Sequence, residues 1–227
     1  HRDGTYLENE SLFRNIFQKR VDLVYRYIKS KGLVLEIGAS TGVMLDIFRE
    51  NDYQTWGVEP SRSAKVAIQK GHKTINEFFE KAKLPQNFFD LVILNHTLEH
   101  MDEPIKVLQK VKSLLKKDGV VFVDVTNFGS LGSKVLGKHW PYLLPDEHKH
   151  QFTKESLKKI FNQAGFKIIY FESRSGLFEF ANPFLELWQS FIGLKMRFFT
   201  NILTFPYSLI ATFLNMGDSM SFVANKK

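Results

Sequence analysis

The sequence contains no cysteine among its 227 residues. That absence excludes a disulfide framework, a Cys-ligated zinc or iron–sulfur site, and any thiol nucleophile. No run of five or more basic residues occurs, so nothing in the layout resembles a nucleic-acid-binding tail. No secretory leader pattern is present, which places the chain in the cytoplasm as an expectation. The chain begins His1-Arg2-Asp3 and not Met, which fits one trimmed at its start. What is abundant is phenylalanine, with 22 residues, and positive charge, with 31 Lys+Arg against 24 Asp+Glu for a net +7. A chain with 44% apolar and 24% charged residues is globular, and this length suits one large domain with an appendage. The basic residues are scattered in pairs such as Lys116-Lys117 and Lys158-Lys159, the pattern of a solvated face.

Periodicity divides the chain into alternating elements. Apolar residues at Leu12, Ile16, Leu23, Val24, Tyr27 and Ile28 predict an amphipathic helix ended by Lys31-Gly32. Strands are predicted at 33–37, 55–58, 73–75, 90–95, 120–125 and 166–172. Helices are predicted at 43–50, from Ser61, at 103–117 with Gly119 just past its end, and at 153–164. This alternation predicts an α/β fold, a doubly wound and mostly parallel sheet with seven strands covered on both faces. From Phe178 to Met216 the pattern breaks into an aromatic segment with eight Phe and only four charged side chains. Residues 198–217 hold 20 positions without a charge, near the length of a membrane span. Its Asn, Thr, Ser and Pro residues argue against a span, as does the strand predicted after it at 219–223. An aromatic wall over a pocket, a dimer face and a helix lying on a membrane stay open.

The first strand runs into Glu36-Ile37-Gly38-Ala39-Ser40-Thr41-Gly42. Two glycines there let the backbone turn and let a helix start close to a ligand. Glu59 follows the second strand, where a carboxylate can accept bonds from both hydroxyls of a ribose. The spacing is neither G-x-G-x-x-G nor a Walker loop, which argues against a nicotinamide cofactor and against a nucleotide phosphate cradle.

Glu36-x-Gly38-x-x-x-Gly42, Gly57-Val58-Glu59-Pro60-Ser61, and Phe89-Asp90-Leu91-Val92 leading to Leu98-Glu99-His100 together resemble class I S-adenosylmethionine-dependent methyltransferases. Within these, the chain is similar to the small-molecule branch that includes ubiquinone-biosynthesis O-methyltransferases and sugar-modifying enzymes. The likeness runs from about Tyr6 to Ser175 and takes in the last strand. It implies a Rossmann-like sheet and S-adenosylmethionine as cofactor, leaving as S-adenosylhomocysteine. It implies cofactor contacts from Glu36, Gly38, Gly42 and Glu59. Ser40 stands where a third glycine is usual. Asn76, with Phe78 beside it, takes the place of the acid that holds the adenine amino group. Asn95 and His96 close the fourth strand, where a doubly wound sheet opens its crevice. Asp90 and His100 are read as structural.

Four parts are therefore expected: an N-terminal helical lid (1–32, with Tyr6 and Phe13 near its start), a cofactor-binding core (33–177), an aromatic helical insert (178–217) and the last strand (218–227). A hydroxyl acceptor calls for a base, and His148 or His150, with His139 third, is expected to supply it. No metal ligand set is assigned. The expected activity is methyl transfer to a small or amphipathic acceptor by in-line displacement. An inactive nucleoside-binding module of the same fold is the main alternative. A nucleic-acid methyltransferase is the other, against which stand the missing Asn/Asp-Pro-Pro-Tyr/Phe signature and the missing cysteine. The insert is expected to serve a homodimer or a peripheral membrane contact.

Overall fold

The computed structural model describes residues 9–29 and 31–227. Tyr6 lies outside the described residues. The described residues open with α1 (Glu10–Tyr25), followed by β1 (Leu33–Ile37), α2 (Val43–Glu50), β2 (Gln54–Val58), α3 (Ala64–Gln69) and β3 (Lys73–Ile75). Next come β4 (Phe89–Asn95), a single 3-10 turn at Leu98–His100, α4 (Pro104–Leu114), β5 (Leu115–Thr126) and α5 (Leu131–Leu136). The rest is α6 (Lys154–Gln163), β6 (Phe166–Arg174), α7 (Pro183–Ile192), α8 (Met196–Phe213) and β7 (Ser219–Lys226).

The seven strands form one sheet in the order β3-β2-β1-β4-β5-β7-β6. All neighbours from β3 to β5 are parallel, whereas β7 runs antiparallel to both β5 and β6. Alternation along β4 explains why both faces are covered. Val92 and Leu94 enter one core with Val107 and Val111 of α4 and Phe161 of α6. Leu91 and Ile93 enter the other with Phe17 and Val21 of α1 and Met44 and Phe48 of α2. Strand order reverses between β1 and β4, so the crevice opens beyond their C-terminal ends.

Among the boundaries that differ from the sequence reading, three have a visible place in the structure. The helix predicted over 103–117 ends at Leu114, because Leu115 is extended (φ −70, ψ 142) and pairs with Phe89. Gly119 therefore lies within β5. The helix expected from Ser61 starts at Ala64, because Ser61–Ser63 form a turn held by Glu59 and Asn76. The first helix ends at Tyr25 instead of Ile28.

Candidate active site

The site grows from the turn after β1. Gly38 (φ +77) and Gly42 (φ +78) adopt the left-handed region, and so does Ser40 (φ +45) between them. A Cβ on Gly38 would sit 2.5 Å from Thr97 Oγ1, and one on Gly42 would sit 2.7 Å from His72 Cδ2. Both positions thus need glycine for conformation and for space. Ser40 tolerates the same conformation at some strain, which is why a glycine is the commoner solution there. Gly42 caps α2 without a side-chain hydrogen bond, so the free N–H groups of the first helical turn face the loop. Thr97 Oγ1 donates to Ile37 O (3.0 Å) and stitches the end of β4 to the end of β1.

Around this loop several buried polar atoms have no partner: Glu36 Oε2, Ser40 Oγ, Thr41 Oγ1 and Asn95 Oδ1. Burial, with Glu59 nearby, holds the Glu36 carboxyl well above the usual carboxylate range. Two unfilled acceptors and two hydroxyl donors fit the ammonium and carboxylate of an amino acid, as the methionine end of S-adenosylmethionine requires. Glu59 accepts from Ser40 N (2.9 Å) and Ser61 N (2.8 Å), which fixes its carboxylate at the rim of the adjoining cavity. That cavity, about 480 Å³, is lined by Gly38, Glu59, Phe78, His96 and His100 among others. Phe78 lies exposed along it, suited to stack on a purine. Asn76 is different. Its amide donates to Glu59 O (2.7 Å) and Ser61 O (2.9 Å), so it holds the turn that carries Glu59 and does not line the cavity.

A second cavity of about 500 Å³ opens on the other side of His96. It is walled by Phe13, Phe17 and Arg20 of α1, Asn95, Thr126, Tyr142 and His148. Asn95 lines both this cavity and the glycine-loop cradle, and His96 lines both large cavities. The N-terminal helix therefore roofs the second cavity, and Phe17 also reaches the glycine loop.

His96 itself adopts a left-handed backbone (φ +49) at the end of β4. Its Nδ1 faces Glu99 Oε1 and its Nε2 faces Asp124 Oδ1, both at 3.2 Å. Burial would lower its pKa, but the two carboxylates outweigh that and lift it to about 9. His96 is thus a fixed imidazolium near neutral pH and cannot accept a proton there. Asp124 is fully buried at the hub of this cluster. Arg20 (3.2 Å), Arg174 (2.8 Å), Ser219 (2.8 Å) and Ser221 all bond its carboxylate. Burial opposes its charge, yet Arg20, His96 and Arg174 hold its pKa below the usual range. Sequence reasoning missed Arg20, Asp124 and Arg174. The one signal was Asp124, a lone charge in the apolar run 120–125; Arg20 and Arg174 lie in segments that carry other charges.

The three candidate bases separate. His148 is buried and lines the second cavity, its ring edge-on to His100 at 5.0 Å. His100 Nδ1 donates to Glu147 O (2.8 Å), which ties the His100 turn to the loop carrying His148. His150 does not line the second cavity. It stacks on Phe152 and donates from Nε2 to Asp102 O (3.3 Å), a structural use. His139 is exposed on the 3-10 turn after α5 and lines neither cavity. The sequence reading assigned no metal ligands, but the fold brings donor atoms of Glu99, His100 and His148 within 4.8 Å of one another.

Comparison with known proteins agrees with this geometry. Residues 9–170 match the family model described as a methyltransferase domain. A C-methyltransferase, NovU, from Streptomyces niveus is 30% identical over 160 residues, which is 67% of this chain and 37% of that protein. The ubiquinone biosynthesis O-methyltransferase of Haemophilus ducreyi is 28% identical over 152 residues, 58% of this chain and 64% of that one. The chain thus spans less than two-thirds of the length of either relative. A SAM-dependent methyltransferase of Thermotoga maritima, described as a possible histamine N-methyltransferase, superposes with a TM-score of 0.64 at 20% identity. That superposition covers 100% of this chain and 98% of the other. The family match takes in the glycine loop, Glu59, the β4 end and the His148 loop, and the chain belongs to the methyltransferase-domain family of class I S-adenosylmethionine-dependent methyltransferases.

Proposed function

We propose that the protein transfers a methyl group from S-adenosylmethionine to a hydroxyl of a small or amphipathic acceptor. The observation that carries this reading is the junction at Asn95 and His96, where the cofactor side and a separate apolar-walled cavity meet. Bound S-adenosylmethionine supplies a methyl already activated by the positive sulfonium. The chain's work is then mainly alignment, which can provide several kcal/mol of the barrier when the reacting atoms are held about 3 Å apart. Phe13 and Phe17 exclude water from above. Arg20 Nε and Thr126 Oγ1 are buried, unpartnered and on the cavity wall, which suits an acceptor bearing oxygen. His148 takes the hydroxyl proton onto its ring, because His96 is already protonated. The resemblance to O-methyltransferases supports oxygen as the atom methylated.

Calorimetric titration with S-adenosylhomocysteine is expected to give one site. Glu59→Ala should weaken it about 10- to 100-fold, the worth of a charge-assisted hydrogen bond. Absence of binding to the unaltered protein sinks the cofactor assignment. Once an acceptor is in hand, His148→Ala should lower kcat about 100-fold or more and abolish its rise with pH, while His139→Ala leaves both unchanged. An unaltered pH profile in His148→Ala removes it as the base.

A further inference from the structure

The hairpin of α7 and α8 is built inside out. Its inward face carries Glu186, Ser190, Ser208 and Ala211, all buried. Its outward stripe is apolar, with Phe184, Leu194, Met196, Leu203 and Phe213 each 78–85% exposed. A soluble helix has the reverse arrangement. The hydroxyls of Thr200, Thr204 and Ser208 each donate to the carbonyl four residues earlier, so they need no water. The sole acid between 183 and 217, Glu186, is buried and paired with Arg197 at 2.6 Å. The exposed charge of the hairpin itself is therefore positive, Lys195 at its tip, and the neighbouring segment 131–139 exposes Lys134 and Lys138.

A third cavity, about 470 Å³, lies beside α8 and is lined by Val135, Leu136, Trp140, Thr200 and Thr204. It shares Tyr142, Gly176 and Asp218 with the acceptor cavity, so the two cavities adjoin across these three residues.

We infer that this face docks on an anionic phospholipid bilayer, and that the third cavity receives the apolar tail of an acceptor drawn from it. The tail assignment rests on the proposed methyl transfer; the docking does not. Charge decides the occupant. A second copy of the hairpin on the same face would set another Lys195 against the first and bring no exposed acid of its own, whereas anionic headgroups neutralise the charge. The hairpin rests on the bilayer and does not cross it. Among the described residues no helix is long and apolar enough to span, and β7 must return between β5 and β6 on the side from which the hairpin left.

The test is sedimentation of the full chain with vesicles, without S-adenosylmethionine or acceptor. Vesicles of mixed phosphatidylglycerol and phosphatidylcholine are compared with pure phosphatidylcholine. Three lysines near the surface predict binding on the order of a hundredfold tighter to the anionic vesicles, weakened by salt. Leu194→Glu and Leu203→Glu, both at exposed positions, should each reduce binding about tenfold at unchanged melting temperature. Lys195→Glu serves as an independent variant that leaves the apolar stripe intact, and it should lower binding about fivefold or more. No sedimentation with anionic vesicles overturns the docking. So does equal binding to both vesicle types, or a dimer in analytical ultracentrifugation that Leu203→Glu splits into monomers. Vesicle binding alongside a failed S-adenosylhomocysteine titration would leave docking standing and remove only the proposed reaction.

Discussion

Replacing Asp124 with asparagine tests the charge state of His96. In the native protein both His96 nitrogens face carboxylates, and the ring's pKa stands near 9 against an ordinary 6.5. That difference corresponds to about 3 kcal/mol of preference for the imidazolium in the fold. The sign follows from the direction of the shift. The contribution is fully present below about pH 6.5 and is lost as pH rises through about 9. Asparagine removes the larger of the two stabilising partners, so the ring's pKa should fall at least halfway back. Arg20 and Arg174 lose their shared counter-charge at the same time, and breaking a buried ion pair costs about 3–5 kcal/mol. The assay is NMR titration of the histidine Cε1–H signals. One of the seven should titrate near 9 in the native protein and move down in Asp124→Asn. Urea unfolding at several pH values should show native stability falling between about pH 6.5 and 9, with a flatter profile in the variant. If the variant does not fold, the native titration still decides. Absence of any histidine signal titrating well above 6.5 in the native protein would refute the reasoning.

Two further predictions concern the cofactor cradle. Gly38→Ala must adopt a left-handed backbone and place its Cβ against Thr97, which is anchored by its bonds to Ile37 O and Asn95 O. A loss of about 2–4 kcal/mol in urea unfolding is expected, and a loss under about 0.5 kcal/mol would contradict the close packing. Glu36 is held neutral by burial and by Glu59 at pH values just above the ordinary carboxylate range, so an ammonium ligand should ionise it on binding. Titrations with S-adenosylhomocysteine in buffers of different ionisation enthalpy should then reveal proton release that Glu36→Gln removes. Identical heats in all buffers would rule this out.

Much of the fold was legible because burial on both faces writes itself into short apolar runs. Residues 33–37, 43–50 and 73–75 carry the same limits in sequence and structure. Asp90 reads as structural and is, accepting from Leu33 N and Lys116 Nζ at 2.8 Å each. The start of β5 was hidden because Lys116-Lys117-Asp118 has no alternation, and its pairing with β4 is interrupted between Phe89 and Leu91. Asn76 turns its amide to the backbone of Glu59 and Ser61; position after a strand reveals the neighbourhood but not the direction of a side chain. The aromatic insert shows a related limit. Periodicity tells which residues share a face, and it is blind to whether that face looks inward or outward. The buried ionic hub around Asp124 joins residues from α1, the turn after β4, β5, β6 and β7, a meeting that no local pattern records.

The antiparallel strand β7 has a consequence for how the chain acquires its shape. Among the described residues β6 has β7 as its only strand partner, since β5 pairs with β4 and β7. While the chain emerges from a ribosome, β1 through β5 can assemble as a parallel half, but β6 must wait. The greasy hairpin is synthesised during that wait, before the sheet can close. Such an order favours early contact of the hairpin with a chaperone or an apolar surface. A chain cut before Ser219 would lose two strands of the sheet, not one.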